Sequence, residues 1–300
     1  MIKRDPNTLD PQHWQISNSS NARQTLITPN SDAPIIHSLG SAPTKQWFEA
    51  DYWQDLNQIT GTNSGRGTTY FIRQGASEMV LRAYLRGGMI GKWIKRTFWF
   101  KQVALTRVYR EMALLDYLFH QGVAVPQPIA GLVTLDGLAP LSTFGLVCRN
   151  SILINKIPEA QDFHSYLLTQ NVSHECWHAL GAQIAHMHLC GVNHHDLNIE
   201  NVMLDKHGKV WLIDFDKCHW MGTDSIQYIA EHNLSRLARS LRKKQRLHIN
   251  YHVTPTDWTA LLKGYITFIG LHPDTLNLGA CEVEDFTQAL SKQLAALNIS

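Results

Sequence analysis

The sequence predicts an α+β fold in which a small β-rich N-terminal part precedes a mainly helical C-terminal part. Apolar runs bounded by glycine and other turn residues indicate strands at residues 61–85 and 151–158. Downstream, residues 162–168, 174–190 and 231–247 are predicted to form helices. The length of 300 residues and the hydrophobic content of 44% suit one large domain or two lobes.

The composition limits the classes of protein to which the chain can belong. The formal net charge is only +2, so the average charge says little about partners. Five cysteines without a CxxC pair favour free thiols in a reducing compartment over a disulfide framework or a zinc site. The first thirty residues lack an apolar signal core, and no run approaches the ~20 apolar residues of a membrane span. We therefore expect a cytoplasmic protein whose membrane contact is at most peripheral.

The first 45 residues differ in composition from the rest of the chain. They are rich in Asn, Ser, Thr, Gln and Pro and show little periodic apolar content, which predicts a polar extension that is extended or partly ordered. The aromatic segment Trp47–Trp53 follows, and we predict that it docks on the first sheet as a short helix.

The most informative stretch is residues 194–201 together with residues 212–215. Asn201 follows Asp196 by five residues, and Asp214 lies thirteen residues beyond Asn201. The apolar segment between Asn201 and Asp214 reads as two short strands joined by a Lys-His-Gly turn, which brings these two residues together. Their oxygen atoms suit Mg²⁺, and Asp196 beside them can accept a hydroxyl proton, so the pattern favours phosphoryl transfer. The alternative is a strand–turn–strand whose Asp and Asn residues only cap turns.

This stretch resembles the catalytic loop H-x-D-L-x-x-x-N and the D-F-G motif of the protein-kinase-like superfamily. The resemblance implies a two-lobed fold, with a small β-rich N-lobe and a mainly helical C-lobe, that uses ATP and Mg²⁺. Asp196 then matches the catalytic base, and Asn201 and Asp214 match the metal ligands.

A glycine-rich turn upstream is a candidate for covering the ATP phosphates. Gly65, Arg66 and Gly67 lie between two predicted strands, and glycine lets backbone N–H groups approach phosphate oxygens. Compared with the kinase pattern G-x-G-x-x-G-x-V, Tyr70 stands at the third glycine and Ile72 at the valine. An ordinary β-hairpin is the alternative interpretation.

Two charged residues are candidates for the clamp on the ATP phosphates. Arg82 stands where a kinase strand normally carries lysine, with Val80 on the same strand face. Glu111 lies beside the apolar stripe of the predicted helix at residues 106–118, in the position of the lysine's usual glutamate partner. A solvent-facing arginine and a surface glutamate are the alternatives.

Two departures from protein kinases favour a small-molecule or glycolipid acceptor. His195 replaces the arginine that reads a phosphorylated activation loop, and Asp216 stands at the glycine of D-F-G. No Ala-Pro-Glu follows, and a basic helix begins at residue 231, which leaves little room for a segment that holds a peptide.

Positive charge is concentrated in two regions. Eight Lys/Arg and no acid occur from Arg82 to Arg110, interleaved with the aromatic residues Trp93, Phe98, Trp99 and Phe100, and six more Lys/Arg occur from Arg236 to Arg246. Basic and aromatic residues together suit an anionic membrane surface, where each Lys/Arg contributes about 1 kcal/mol. A solvated face, aromatics packed in the N-lobe and nucleic acid are the alternatives.

Residues 80–92, 106–111, 125–128 and 195–217 narrow the resemblance to the 3-deoxy-D-manno-octulosonic acid (Kdo) kinases of the lipopolysaccharide kinase family. The Arg-Gly-Gly segment after the third predicted strand and the Asp-Phe-Asp variant are its more specific elements. The resemblance implies ATP-dependent phosphorylation of the 4-hydroxyl of Kdo on Kdo-lipid A, in lipopolysaccharide inner-core synthesis. It also implies a peripheral protein on the cytoplasmic face of the inner membrane.

The implied domains are a polar extension (1–45), an N-lobe with the glycine-rich turn and a basic insertion (46–155), and a C-lobe with the catalytic loop (156–300). Arg86, Lys92 and Lys95 are candidates for contact with the acceptor or the membrane, and no nucleic acid partner is expected. Three alternatives stay open: a heptose kinase of the same pathway, a protein kinase, and a membrane-associated pseudokinase scaffold.

Overall fold

The computed structural model describes residues 5–20, 23–64, 68–85, 98–138, 146–276 and 280–295. The chain divides into two compact units. The β-rich unit comprises Arg4–Tyr117 and Pro126–Lys156, and the helical unit comprises Leu118–Val125 and Ile157–Ser300. Strands dominate the first unit and helices the second, so the predicted α+β fold class is confirmed.

The β-rich unit is built on a sheet of eight described strands in the order β1-β2-β7-β8-β5-β4-β3, with β6 paired to β8. Every pairing in the sheet is antiparallel. In chain order the strands are β1 (Trp14–Asn18), β2 (Gln24–Pro29), β3 (Ile59–Ser64), β4 (Thr68–Gln74), β5 (Ser77–Ala83), β6 (Phe98–Trp99), β7 (Pro128–Leu138) and β8 (Leu146–Asn155).

An aromatic cluster forms the core against one face of this sheet. Trp47, Phe48 and Trp53 are buried there, on a 3₁₀ turn and the short helix α2 (Ala50–Asp55). The indole N–H of Trp53 donates a hydrogen bond to the Trp47 carbonyl at 2.7 Å, so the polar atom of a fully buried ring is satisfied. The prediction that this segment docks on the sheet as a short helix is confirmed.

The described residues before residue 46 form strands and a helix that belong to the β-rich unit, whereas the sequence predicted a separate extension that is extended or partly ordered. Strand β2 pairs with β7, and helix α1 (Pro34–Leu39) follows it. Five successive residues of β2 are buried, but only Leu26 and Ile27 among them are large and apolar. Apolar periodicity therefore gives no signal for this strand, because threonine and proline occupy its other buried positions.

Helix α3 (Arg107–His120) packs on the sheet through the predicted apolar stripe. Val108 and Met112 are fully buried. At Gly131 of β7 an added Cβ would lie only 2.5 Å from the Met112 sulfur and 2.7 Å from Val108 Cγ2. The glycine therefore allows the helix to approach the strand closely, which sets the position of Glu111 on α3.

The helical unit contains five described α-helices, one two-stranded sheet and one three-stranded sheet. None of the helices in the described part of the chain is both long and apolar enough to cross a lipid bilayer. The helices are α4 (Phe163–Thr169), α5 (His174–Leu189), α6 (Ile226–Leu247), α7 (Pro255–Gly270) and α8 (Ala280–Ala295). The strands are β9 (Gln161–Asp162), β10 (Val192–Asn193), β11 (Val202–Leu204), β12 (Val210–Leu212) and β13 (His219–Trp220). The two sheets have the strand orders β10-β13 and β12-β11-β9.

Helices α5 and α7 pack with their backbones in contact. A Cβ at Gly181 would overlap the Leu261 carbonyl, and one at Gly264 would overlap the His178 carbonyl. Two glycines on facing helices thus allow a separation that any side chain would prevent. The contact holds α5, the helix that leads directly into the catalytic loop, against α7.

Candidate active site

The predicted catalytic loop follows β10 and ends in a 3₁₀ helix, Ile199–Asn201. Asn201 Nδ2 donates a hydrogen bond to the Asp196 carbonyl oxygen at 2.9 Å, and Asn198 Nδ2 donates to the same oxygen at 3.0 Å. Asn198 Oδ1 accepts from the Glu200 N–H at 2.9 Å and caps the helix. Two amide side chains therefore fix the Asp196 backbone, while the Asp196 side chain is 57% exposed.

The strands after this loop form the predicted hairpin, which brings the two candidate metal ligands to one end. Val202 of β11 lies opposite Leu212 of β12. The backbone N–H of Ile213 then donates to the Asn201 carbonyl at 3.0 Å. Asp214 directly follows Ile213, so the hydrogen bond between Ile213 and Asn201 brings Asp214 close to Asn201. The prediction of the hairpin is confirmed.

Asp214 has a left-handed backbone conformation, with φ of 65°. Such a conformation costs about 1–3 kcal/mol in a non-glycine residue and persists where the surroundings determine it. Both neighbours are held: the Ile213 carbonyl accepts from His194 Nε2 at 3.0 Å, and the buried Phe215 ring lies edge-to-face on the His194 ring at 4.8 Å. The fold therefore imposes the direction in which the chain presents Asp214.

The Asp-Phe-Asp variant is compatible with this backbone. Among the described residues, positive φ at non-glycine positions occurs at Asn57, Glu159 and Asp214. Asp216, where protein kinases carry glycine, has a negative φ that any residue adopts. The missing glycine therefore causes no backbone strain here.

His194 is a structural residue of the loop. A carbonyl can only accept, so the bond to Ile213 places the proton on Nε2. Burial lowers the pKa of His194, which keeps the ring neutral. The ring therefore links the catalytic loop to the segment that carries Asp214.

A buried asparagine on α6, which the sequence analysis missed, anchors the loop. Asn233 Oδ1 accepts from the His194 N–H at 3.0 Å and from His188 Nε2 at 3.1 Å, and Nδ2 donates to Asn193 Oδ1 at 2.7 Å. The Tyr265 hydroxyl donates to His188 Nδ1 at 2.8 Å, and burial lowers the pKa of His188 to about 3. The sequence signal that could have revealed Asn233 is its place as a polar residue on the apolar stripe of a helix. A buried amide requires hydrogen-bond partners, so such a residue indicates a polar contact in the core.

The side chain of Asp196 has a cationic neighbour that the sequence analysis did not identify as a site residue. Arg236 of α6 places Nη1 3.3 Å from Asp196 Oδ1, and the two side chains are 32% and 57% exposed. Pairs exposed to this degree contribute at most about 1 kcal/mol. The pair therefore orients the carboxylate more than it stabilises the fold.

The β-rich unit brings the two clamp candidates together. Arg82 Nη2 donates to Glu111 Oε1 at 2.6 Å, and the Tyr84 hydroxyl donates to Glu111 Oε2 at 2.5 Å. Glu111 is only 2% exposed and Arg82 is 26% exposed. The solvent-facing arginine and the surface glutamate are therefore both excluded.

Tyr84 is the part of this cluster that the sequence analysis missed. Burial and the Glu111 carboxylate raise the pKa of Tyr84 well above its usual value, so its hydroxyl stays protonated and donates. The guanidinium of Arg82 also lies over the Tyr84 ring, at 5.2 Å from its centre. One side of the Arg82 guanidinium is therefore fixed by Glu111 and Tyr84 together.

Six further candidates lie outside the described residues: Gly65, Arg66, Gly67, Arg86, Lys92 and Lys95. The strands on either side of the glycine-rich turn, β3 and β4, are paired antiparallel as predicted, with Ser64 opposite Thr68. The roles of all six residues stay predictions.

The chemistry of the donor groups fits a nucleotide and its cation. Because Asn201 Nδ2 is used by the Asp196 carbonyl, the amide oxygen of Asn201 is directed elsewhere, and Asp214 adds carboxylate oxygens. Mg²⁺ prefers such oxygen ligands and commonly takes few from the protein. A guanidinium such as that of Arg82 matches phosphate oxygens in pairs.

The fold and the catalytic loop define a phosphotransferase of the protein-kinase-like superfamily. The model of the "Lipopolysaccharide kinase (Kdo/WaaP) family" matches residues 50–265. This chain belongs to that family, and the family predicted from the sequence is confirmed.

The curated relatives of this chain include proteins named 3-deoxy-D-manno-octulosonic acid kinase. The Vibrio vulnificus protein is 38% identical over 225 residues, which cover 75% of this chain and 90% of that protein. The Vibrio parahaemolyticus protein is 39% identical over 209 residues, with coverage of 69% and 83%. The Haemophilus influenzae protein is 35% identical over 226 residues, with coverage of 73% and 90%.

Proposed function

We propose that this protein is an ATP-dependent kinase that phosphorylates the 4-hydroxyl of Kdo on Kdo-lipid A, in lipopolysaccharide inner-core biosynthesis. The observation that carries the proposal is the intact arrangement of Asp196, Asn201 and Asp214 in a chain whose relatives are named Kdo kinases. The same relatives favour Kdo over a heptose as the acceptor sugar.

Asp196 acts as the base in this proposal. The sugar hydroxyl donates a hydrogen bond to the exposed carboxylate, and its oxygen attacks the γ-phosphorus of ATP. The bond between that phosphorus and the bridging oxygen breaks, ADP leaves with the electron pair, and the hydroxyl proton moves to Asp196. The two amide bonds to the Asp196 carbonyl keep the base in position during this step.

Asn201 and Asp214 are the residues that would hold Mg²⁺, which neutralises charge on the nucleotide phosphates when bound. Arg82 binds phosphate oxygens, and Glu111 and Tyr84 hold its guanidinium in one orientation. Backbone N–H groups of the turn at Gly65, Arg66 and Gly67 add further donors to the phosphates. The intact ion pair of Arg82 argues against a pseudokinase that has lost its clamp.

The protein acts at the cytoplasmic face of the inner membrane as a peripheral protein in this proposal. Its acceptor is anchored in that membrane by lipid A. Arg86, Lys92 and Lys95 contribute positive charge towards the anionic surface. Trp99, which lies in the same basic region from Arg82 to Arg110, is 54% exposed and supports contact with lipid head groups.

Phosphate transfer from labelled ATP tests the proposal directly. We expect label on Kdo-bearing lipid A in the presence of Mg²⁺, at the 4-hydroxyl, and none on heptosylated core or on a generic protein. Label only on the heptosylated core would assign the protein to the alternative kinase. A preparation that labels no acceptor would favour the scaffold interpretation.

A further inference from the structure

Helix α6 carries a row of cations of which only the first, Arg236, has a role in the candidate active site, where it orients Asp196. Arg236, Arg239, Lys243 and Arg246 follow one another at intervals of three, four and three residues, so they share one side of the helix. With a rise of about 1.5 Å per residue, the row extends over about 15 Å. No acidic residue occurs between Arg236 and Leu247. We call these four residues the α6 cation row.

The row begins at the catalytic carboxylate. Its first member, Arg236, pairs with Asp196 at 3.3 Å. The next three members, Arg239, Lys243 and Arg246, are exposed, and their side chains form no hydrogen bond or ion pair with any described residue. A ligand that lies along the row is therefore continuous with the site of proton transfer.

Glu200, an acidic residue close to α6, pairs with a lysine that does not belong to the row. Lys244, outside the row, pairs with Glu200 at 2.8 Å and lies 3.3 Å from His164 Nε2. Like charges three or four residues apart repel one another and destabilise a helix. Within the described part of the chain, the last three cations of the row have no acid that offsets this repulsion, which favours an external anion.

The surface around the row combines cations with exposed apolar side chains, which complements the phosphates and acyl chains of a phosphorylated lipid. Arg239, Arg242, Lys243, Arg246 and Leu247 line a groove of about 420 Å³. Beyond the last cation, Leu247 is 62% exposed and Ile249 is fully exposed. The order along the surface is therefore a carboxylate base, then cations, then apolar side chains.

We propose that the last three cations of the α6 cation row bind the phosphate groups of the glycolipid acceptor while the acceptor hydroxyl reaches Asp196, beside Arg236. This inference rests on the proposed function and names its recognition surface. The order of base, cations and apolar residues matches an acceptor with a sugar hydroxyl, then phosphates, then acyl chains. Arginine is suited to this role because its planar fork pairs with two phosphate oxygens. The groove between Arg239 and Leu247 extends over about 12 Å, and a groove of this length fits one extended anion better than a flat bilayer surface does.

A triple substitution tests the row: Arg239→Gln, Lys243→Gln and Arg246→Gln. We expect the KM for phosphorylated Kdo-lipid A in neutral detergent micelles to rise at least about tenfold, with kcat and the KM for ATP within about twofold of wild type. The matched control, Lys206→Gln, Lys209→Gln and Lys263→Gln, removes three exposed cations from the same unit and should change none of these values.

A dephosphorylated Kdo-lipid A provides the second arm. Wild type should bind this acceptor as weakly as the triple variant does, and the triple variant should not distinguish the two acceptors. An equal loss on both acceptors, or no loss on either, would overturn the proposal. If the triple variant unfolds, Lys243→Gln alone should raise the KM about threefold for the phosphorylated acceptor only.

Two further measurements separate acceptor binding from membrane binding and from loss of the proposed activity. The first measurement is binding to phosphatidylglycerol vesicles that contain no acceptor. If the triple variant loses this binding while its KM in micelles stays unchanged, the row contacts the membrane surface and the proposal is overturned. If wild type transfers no phosphate, equilibrium binding of both glycolipids still decides. If wild type prefers the phosphorylated glycolipid and the triple variant does not, the α6 cation row binds the acceptor phosphates even though the proposed function fails. If wild type binds both glycolipids equally, the row does not have this role.

Discussion

At the scale of single residues, the helical unit separates the groups that react from the groups that hold them. Asp196 presents an exposed carboxylate, whereas His194 and Asn233 are fully buried and act on its loop through hydrogen bonds. The sequence predicted Asp196, Asn201 and Asp214 because their spacing is regular and local. It did not predict Asn233, since a helical asparagine 40 residues from its partner Asn193 carries no local pattern.

Asp196→Ala is expected to lower kcat by about 10²- to 10⁴-fold, the usual contribution of a general base. ATP binding should stay largely intact, because the substitution leaves Arg82, Asn201 and Asp214 in place. Turnover with Kdo-lipid A and equilibrium binding of ATP are the two measurements. Transfer at the wild-type rate would rule out Asp196 as the base.

Arg82→Met is expected to raise the KM for ATP by at least about tenfold, since a hydrogen bond to a charged group contributes about 1.5–3 kcal/mol. Arg82→Lys keeps the charge and should recover part of the loss. Arg73→Met is the control, because Arg73 is a 60% exposed arginine of the same sheet. Equal effects of the Arg82 and Arg73 substitutions would argue against the clamp.

His188 makes stability depend on pH. Its pKa is about 3 in the folded state and ~6.5 when unfolded, so the unfolded chain binds a proton over this interval and the native state does not. Stability from this group is present above pH 6.5 and falls by about 1.4 kcal/mol per unit below it, or about 2 kcal/mol at pH 5. Urea unfolding at several pH values between 7 and 5 gives the free energy of unfolding at each pH. This free energy should depend less steeply on pH in His188→Gln than in wild type. The substitution His207→Gln, at an exposed histidine, is the control and should leave the pH dependence unchanged.

At the scale of secondary-structure elements, the position of a helix is set by close backbone contact at glycines as much as by the apolar area that the helix buries. The sequence predicted α3, the hairpin of β11 and β12 and the helices α4, α5 and most of α6, because each has strong local periodicity or turn residues, but it did not predict α7 and α8. It did not predict the α5–α7 contact, since the effect of Gly181 and Gly264 depends on residues more than 70 positions away. Tyr84 was missed for a similar reason, because its partner Glu111 lies on another element.

Gly181→Ala is expected to lower the free energy of unfolding by about 3 kcal/mol or more, because the new Cβ would overlap the Leu261 carbonyl and force α5 away from α7. Gly270→Ala is the control, since its nearest neighbour, Thr287 Cγ2, lies 4.0 Å away. Chemical denaturation measures both. Equal stabilities of the two variants would contradict the close contact.

At the scale of the whole molecule, the N-terminal strands enlarge the sheet beyond what the sequence indicated. Composition predicted a polar extension because β1 and β2 contain few large apolar residues. Pairing of β2 with β7 nevertheless satisfies its backbone groups, and the buried hydroxyl of Thr25 donates to Asn18 Oδ1 at 2.8 Å. Hydrogen bonding thus incorporates a segment that hydrophobic patterning alone does not identify.

Removal of the residues up to Pro29 is therefore expected to destabilise the β-rich unit. The deletion takes away Leu26 and Ile27, each worth about 1.5–3 kcal/mol on burial, and leaves the edge of β7 unpaired. Thermal unfolding and size-exclusion chromatography should show a lower Tm and soluble aggregates. Removal of residues 1–5 alone should cause neither, and a stable monomer after the longer deletion would contradict the assignment.

The ion pair of Arg82 and Glu111 also has a consequence for chemical labelling. Reagents that acylate the phosphate-binding lysine of protein kinases require a neutral amine as the nucleophile. A guanidinium keeps its proton at any pH at which the protein is folded, so it does not react in this way. Nucleotide-directed acylating probes should therefore leave this position unmodified, and covalent inhibitors of this enzyme need a different anchor.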